Sequence, residues 1–323
     1  ISGLLFLLGI IILIRLYLIL SSSICTSKVC LVGKTALVTG GSSGIGYQTV
    51  LGLAARGCRV IVADKNIDEE IQRAMMKETN NPNIIMQYVD LASFESVREL
   101  VNRLTASEDK LDILINNAGI GRGPNILSED NLDVTWQINY FSAFLLTHLL
   151  VELLKKSTSG RIVFTSSILS HMHSLSLKNI TANGIKSSDC THLYQDTKVA
   201  LIIASDIFAM KLNDFNITSN VYHPGVAKTA IFEKTQRYMR GFEDMKTMCF
   251  VRLLLFFFGQ SPEQAAQTAL HLAVSREVEN ITGRFFGRLS ETWKPRICKD
   301  KTFCEKIWTS SETMIKLKPD ERL

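Results

Sequence analysis

The sequence is poor in three things, and each shortage removes a class of answer. Proline is scarce, 6 in 323 residues, and no Pro/Gly-rich stretch or internal repeat divides the chain into modules. The 7 cysteines are scattered, which excludes a disulfide scaffold in so long a chain. Cys298 and Cys304 have no second pair beside them, so a structural zinc site is not expected. Charge is modest and almost balanced, 36 Lys and Arg against 31 Asp and Glu, and no aromatic-basic array points to nucleic acid. What is abundant is apolar, 46% of all residues, so the chain is not a disordered polymer and has length for one large core.

One long apolar run stands out. Residues 1–20, ISGLLFLLGIIILIRLYLIL, carry a single charge, Arg15. A helix needs about twenty such residues to cross a ~30 Å hydrocarbon layer, so the run reads as a transmembrane anchor. A cleaved leader is the competing reading, but its apolar core runs only about 7–15 residues and ends at a small-residue site. SSSICTS is a poor match to such a site. Because the chain begins with Ile1, its natural start is expected upstream. Residues 21–32 read as a juxtamembrane linker, and its Cys25 and Cys30 are open to acylation. Lys28 and Lys34 follow the run, which places the bulk of the protein on the cytosolic face. Sequons at Asn179, Asn216 and Asn280 would matter only on the opposite side.

From Gly33 onward apolar β-branched runs alternate with amphipathic stretches. Strands are expected at 34–39, 58–63, 84–89, 111–116, 160–165, 217–222 and 283–286, and helices at 44–56, 68–79, 93–106, 129–155, 193–214 and 262–275. Strands that are apolar throughout, such as 59–62 and 111–115, imply a parallel sheet covered on both faces. The alternation implies an α/β fold, a single-domain doubly wound parallel sheet of Rossmann type over 33–290. Residues 291–323 follow as a basic C-terminal extension, with 9 Lys and Arg against 4 Asp and Glu over 284–318. That balance suits a face near anionic lipid, or a solvated surface.

The first strand runs into Gly40-Gly41-Ser42-Ser43-Gly44-Ile45-Gly46 and then a helical pattern. Glycines at 40, 44 and 46 let the backbone turn tightly and approach a pyrophosphate at the helix N-terminus. Asp64 ends the second strand, where a carboxylate accepts from ribose hydroxyls and repels a 2′-phosphate, favouring NAD. Lys65 is next to it and would instead pair with a phosphate, so NADP stays open; an acidic helix cap is the bland alternative for Asp64. Asp90 and Leu91 end the third strand, within reach of an adenine.

Tyr194-Gln-Asp-Thr-Lys198 puts a phenol and an ammonium on one helical face. A nearby cation favours the phenolate and brings the phenol toward neutrality, where it serves as a general acid/base. Such a pair is common by chance, and its company is what matters. Ser167 ends the fifth strand, Asn116-Asn117-Ala118-Gly119 ends the fourth, and Asn139 lies in the helix after it. In a parallel sheet all these ends open on one carboxyl edge.

Taken together, TGGSSGIG, NNAG, Asn139, Ser167, YQDTK and His223-Pro224-Gly225 resemble the short-chain dehydrogenase/reductase superfamily, over roughly 33–290. The anchor, the long stretch between Ser167 and Tyr194, and GRFFGRLSETWKPR resemble its membrane-anchored retinol dehydrogenase group. Members of that group often carry Arg after the second strand and prefer NADP, and Asp64-Lys65 departs from this. The resemblance implies that Tyr194 exchanges a proton with the substrate oxygen and Ser167 polarises it. Lys198 would hold the nicotinamide ribose, Asn139 would support a water relay, and Thr229, with Pro224 and Gly225, would contact the nicotinamide. It also implies a lipophilic alcohol or aldehyde as substrate, an endoplasmic reticulum membrane location and a possible homodimer. Farnesol, a fatty alcohol or a steroid are alternatives to retinol. A catalytically silent nucleotide- or lipid-binding protein is the reading from another class; such proteins usually lose one of Asn139, Ser167, Tyr194 and Lys198, all present here. Residues 248–258 are too short to span and read as a packed helix or an apolar lid. His171-Met-His173 lacks further ligands and reads as a surface loop, so no metal is expected.

Overall fold

The computed structural model describes residues 24–121, 123, 126–181, 192–228, 252, 255, 257 and 259–323. The apolar run 1–20, Thr229, and residues 248–258 apart from Arg252, Leu255 and Phe257, lie outside the described residues.

The strands are β1 (Thr35–Thr39), β2 (Arg59–Asp64), β3 (Ile84–Tyr88), β4 (Ile113–Asn116), β5 (Gly160–Thr165), β6 (Ile217–His223), β7 (Phe285–Gly287) and β8 (Ser290–Thr292), the first six built on runs rich in apolar β-branched residues, the last two a short aromatic and a short polar edge. They make one sheet in the order 3-2-1-4-5-6-7-8, parallel except that β8 closes the edge antiparallel to β7. Neighbouring residues of a strand face opposite sides. Leu37 of β1 therefore joins the core with Leu100, Leu146 and Ile203, while Ala36 and Val38 join Val50 and Leu270 on the other face.

The helices are α1 (Gly44–Ala54), α2 (Glu69–Thr79), α3 (Phe94–Ser107), α4 (Val134–Lys155), α5 (Leu177–Thr181), α6 (Leu193–Lys211), α7 (Pro262–Val274) and α8 (Lys301–Met314). Their starts follow side-chain caps: Asp68 accepts from Glu70 N and Ile71 N before α2, and Ser261 and Gln264 form a capping box around Pro262 at α7. Helix α4 was expected from residue 129 but starts at Val134, because Asp133 caps it by accepting from the amides of Thr135 and Trp136. By length and composition α4 resembles a membrane span, yet 83% of its apolar window is buried inside the fold. It is a core helix.

Two segments do more than the sequence suggests. Residues 24–32, expected as a linker, lie along α1 and α7: Cys25 N donates to Gln267 Oε1 (3.0 Å) and the Arg56 guanidinium donates to Ser27 O (3.0 Å). The C-terminal extension contributes α8, whose Trp308 packs against Phe144 and Phe208, each 4.8 Å between ring centres. Cys304, Ile307, Trp308 and Ser311 of α8 are buried at helical spacing, a period masked in the sequence by the polar residues Glu305, Lys306, Thr309 and Ser310 between them.

Candidate active site

Strand order reverses between β1 and β4, so the carboxyl ends of the two halves leave a crevice there, the usual ligand position in such sheets. The Gly-rich turn borders it. Gly40 has φ +65°, and a side chain at Gly46 would sit 2.2 Å from Gly40 O and 2.6 Å from Asn117 Nδ2. Only a bare backbone fits this close approach. Ser43, the cap of α1, makes no side-chain cap bond, and the first turn holds no acidic residue. The amides and positive dipole end of α1 thus remain suited to an anion, and the turn of residues 40–46 fits a dinucleotide pyrophosphate.

Asn117 and Ala118 have a partner that sequence reasoning missed. Thr39 Oγ1 accepts from Asn117 N (3.0 Å) and Ala118 N (3.1 Å), while Asn117 Nδ2 donates to Thr39 O and Gly40 O. These bonds lock the exit of β4 onto the turn. The signal available was a hydroxyl following the apolar run Ala36-Leu-Val38 just before Gly40.

At the end of β2, Asp64 Oδ2 accepts from Ser42 Oγ (2.7 Å) and Ser42 N (3.1 Å), and its Oδ1 accepts from Asn66 N. Lys65 donates instead to Asp90 Oδ2 (2.5 Å), and that bond raises the lysine's pKa. Leu91 is buried, its carbonyl accepting from Ser142 Oγ.

Across the crevice, Ser167 caps the 3₁₀ turn Ile168–Met172 by accepting from Leu169 N, and its hydroxyl lies near enough to the Tyr194 phenol to favour the phenolate. Burial raises the Tyr194 pKa, and the neighbouring Ser167 hydroxyl lowers it in part. The spacing with Lys198 predicts the opposite net shift. The difference is physical: Lys198 Nζ lies 5.6 Å from the ring centroid and donates to Thr165 O (2.9 Å), while burial acts directly on the phenol. Lys198 is itself 3% exposed, and burial lowers its pKa to about 8.

Asn139 sits in a π-helical turn, Gln137–Phe141, of the kind that often marks functional positions. Its Oδ1 accepts from Ile120 N, and its Nδ2 donates to Ile120 O (2.9 Å) and Thr197 Oγ1 (3.3 Å). It therefore joins the β4 exit to α6. Gly119 lies between them: a side chain there would come 3.3 Å from Lys198 Nζ. Pro224 and Gly225 follow β6 on the same edge, Gly225 at φ +74° with its amide on His223 Nδ1. Among the described residues no cluster of three His, Cys, Asp or Glu side chains could hold a metal ion.

The short chain dehydrogenase family model matches residues 34–239. The chain is a member of the short-chain dehydrogenase family. Mouse retinol dehydrogenase 13 is 34% identical over 295 residues, covering 91% of this chain and 87% of that protein. Human retinol dehydrogenase 11 is 31% identical over 303 residues, covering 93% and 92%. The crystal structure of L-sorbose reductase from Gluconobacter frateurii, complexed with NADPH and L-sorbose, superposes with a TM-score of 0.63. At 24% identity over 80% of this chain and 95% of that one, this likeness speaks for the fold. This dehydrogenase is an NAD(P)-dependent oxidoreductase acting on alcohols.

Proposed function

We propose that this short-chain dehydrogenase interconverts a lipophilic alcohol and its aldehyde or ketone, with Tyr194 as general acid/base and retinol/retinal as the first substrate to try. The observation that carries the reading is the grouping of the Tyr194 phenol, the neighbouring Ser167 hydroxyl and buried Lys198, whose Nζ lies 5.6 Å from the Tyr194 ring and donates to Thr165 O at the carboxyl end of β5. Residues 40–46, with Asp64, Asn117–Gly119, Lys198, Pro224 and Gly225, would hold the dinucleotide, which supplies hydride exchange when bound. In reduction Tyr194 passes its phenolic proton to the substrate oxygen, and Ser167 donates a hydrogen bond to that oxygen. In oxidation the proton returns by the same route. Lys198, held on Thr165 O, keeps a donor beside the phenol, and Asn139 holds the β4 exit against α6. Two relatives named as retinol dehydrogenases support the lipophilic substrate. We further propose that residues 1–20 anchor the protein in a membrane, at the endoplasmic reticulum, with the domain facing the cytosol.

The test uses membranes containing the expressed protein, following cofactor absorbance with all-trans-retinol plus NAD or NADP, and with retinal plus each reduced form. Turnover lost in Tyr194→Phe, by about a thousandfold or more, with cofactor binding kept, is the expected result. Undiminished turnover in that variant would overturn the assignment of the acid. Silence with retinoids but turnover of farnesol or a fatty aldehyde would keep the mechanism and change the substrate.

A further inference from the structure

Asp196 lies between Tyr194 and Lys198 in α6 but points elsewhere. A helix advances about 100° per residue, so position 196 is roughly 200° around from Tyr194, away from the face shared by Tyr194 and Lys198. Its carboxylate is nonetheless buried, the residue being 1% exposed. A buried carboxylate is costly unless its oxygens are bonded. All of its named partners come from one short segment: Ser174 N donates at 2.7 Å, Ser174 Oγ at 3.3 Å and Asn179 Nδ2 at 3.1 Å. The same Asn179 amide donates to Ser174 O, so the segment closes on itself around the carboxylate.

That segment is the continuation of the chain from Ser167. The 3₁₀ turn capped by Ser167 ends at Met172, two residues before Ser174. On the other side of Ser167, Ser166 Oγ donates to Lys198 O at 2.6 Å. The chain is therefore fastened to the first turns of α6 both immediately before Ser167 and seven residues after it. The phenol–hydroxyl pair sits inside this double fastening. We propose that Asp196 is a positioning residue for the oxidoreductase reaction, clamping Ser174–Asn179 to α6 so that the Ser167 hydroxyl stays on the Tyr194 phenol. This inference rests on the reading of Ser167–Tyr194 as the acid/base pair.

The experiment compares Asp196→Ala, Asp196→Asn, Asn179→Ala and the double variant Asp196→Ala/Asn179→Ala with the parent in membranes, using all-trans-retinol and its preferred cofactor. Loosening a reacting pair by about 1 Å costs about a hundredfold. Asp196→Ala should therefore lower kcat by about 30- to 100-fold, with cofactor affinity, read by quenching of tryptophan fluorescence, within about twofold. Asp196→Asn keeps one oxygen for Ser174 N and should recover most of the loss. Asn179→Ala should lower kcat less, and add little to Asp196→Ala. Because the neighbouring Ser167 hydroxyl favours the phenolate, which is the form that accepts the proton in oxidation, the ascending, acid-side limb of kcat for oxidation should also move to higher pH in Asp196→Ala. A purely structural residue would lower cofactor affinity and thermal stability together and leave that limb in place; such a result, or an unchanged kcat, overturns the proposal. If Asp196→Ala does not fold, Asp196→Asn and Asn179→Ala are read by the same kcat and pH-limb criteria. Tyr194→Phe run in parallel separates the two readings: turnover surviving there defeats the acid/base assignment, whereas a dead Tyr194→Phe beside an unaffected Asp196→Ala defeats the clamp alone.

Discussion

Lys198 shows how burial and chemistry meet in one side chain. Its ammonium is buried on Thr165 O, and burial brings its pKa from 10.5 to about 8. An unfolded lysine holds its proton up to about pH 10.5, whereas the folded one releases it from about pH 8. Between those values the unfolded chain binds more protons, so this residue makes the protein more stable as pH rises through the window. The gain is on the order of 3 kcal/mol. Lys198→Met should reduce the difference in unfolding free energy, measured by urea denaturation, between pH 7.5 and pH 10.5 by about that amount; an unchanged difference would mean the lysine is solvated. Gly46 gives a second residue-scale expectation. A methyl group there meets Gly40 O at 2.2 Å, so Gly46→Ala should weaken cofactor binding by about tenfold or more in a fluorescence titration. Both residues were legible in the sequence because each belongs to a local pattern, Gly46 to the Gly-rich turn and Lys198 to the i, i+4 spacing with Tyr194, although Thr165 and Asn117, which they also meet, lie far along the chain. Thr39, bonded to Asn117 across 78 positions, was not, and neither was Asp196, whose partners lie on a turn that only tertiary folding brings to it.

At the scale of elements, α8 is the part that sequence patterning undervalued. It completes an aromatic cluster in which Phe144, His148, Phe208 and Trp308 meet at 4.4–5.6 Å between ring centres. Trp308→Ala should cost about 3–5 kcal/mol in chemical denaturation, because both the transfer and the cavity fall on a well-packed site. His148 adds a pH signature. Its Nδ1 is bonded to Phe144 O, and burial lowers its pKa to about 4. Below its ordinary value near 6.5 the unfolded histidine takes up a proton that the folded one refuses. Its stabilising effect is therefore intact above pH 6.5 and is lost as pH falls toward 4. His148→Phe should reduce the acid-side slope of the melting temperature between those values. His223, shifted the same way to about 4, leaves a residual slope in that variant.

At the scale of the whole molecule, the sheet brings two opposing preferences for cofactor to one edge. The doubly wound parallel class was legible because fully apolar strands alternate with amphipathic helices, but the antiparallel edge strand β8 and the pairing of side chains at the strand ends were not. Those pairings decide which preference prevails. Asp64 is held on the Gly-rich turn by Ser42, with its charge at the crevice, while Lys65 is drawn outward to Asp90. A 2′-phosphate would have to displace the Ser42–Asp64 bonds and also recover Lys65 from an ion pair, whereas ribose hydroxyls can donate to Asp64 as it stands. We therefore expect NAD to bind more tightly than NADP. At equal concentrations, a ligand present at about 100 times its Kd stabilises by about 2.7 kcal/mol, so NAD should raise the melting temperature more than NADP. Asp64→Ala should cut the NAD shift and enlarge the NADP shift, since it removes the repelling carboxylate while leaving Lys65 in place. Asp90→Ala, which frees Lys65 without touching Asp64, should raise NADP affinity relative to NAD, any loss at the shared adenine falling on both. If the parent protein is stabilised more by NADP, and Asp64→Ala changes neither shift, then Lys65 governs the edge and the enzyme belongs with reductive rather than oxidative turnover.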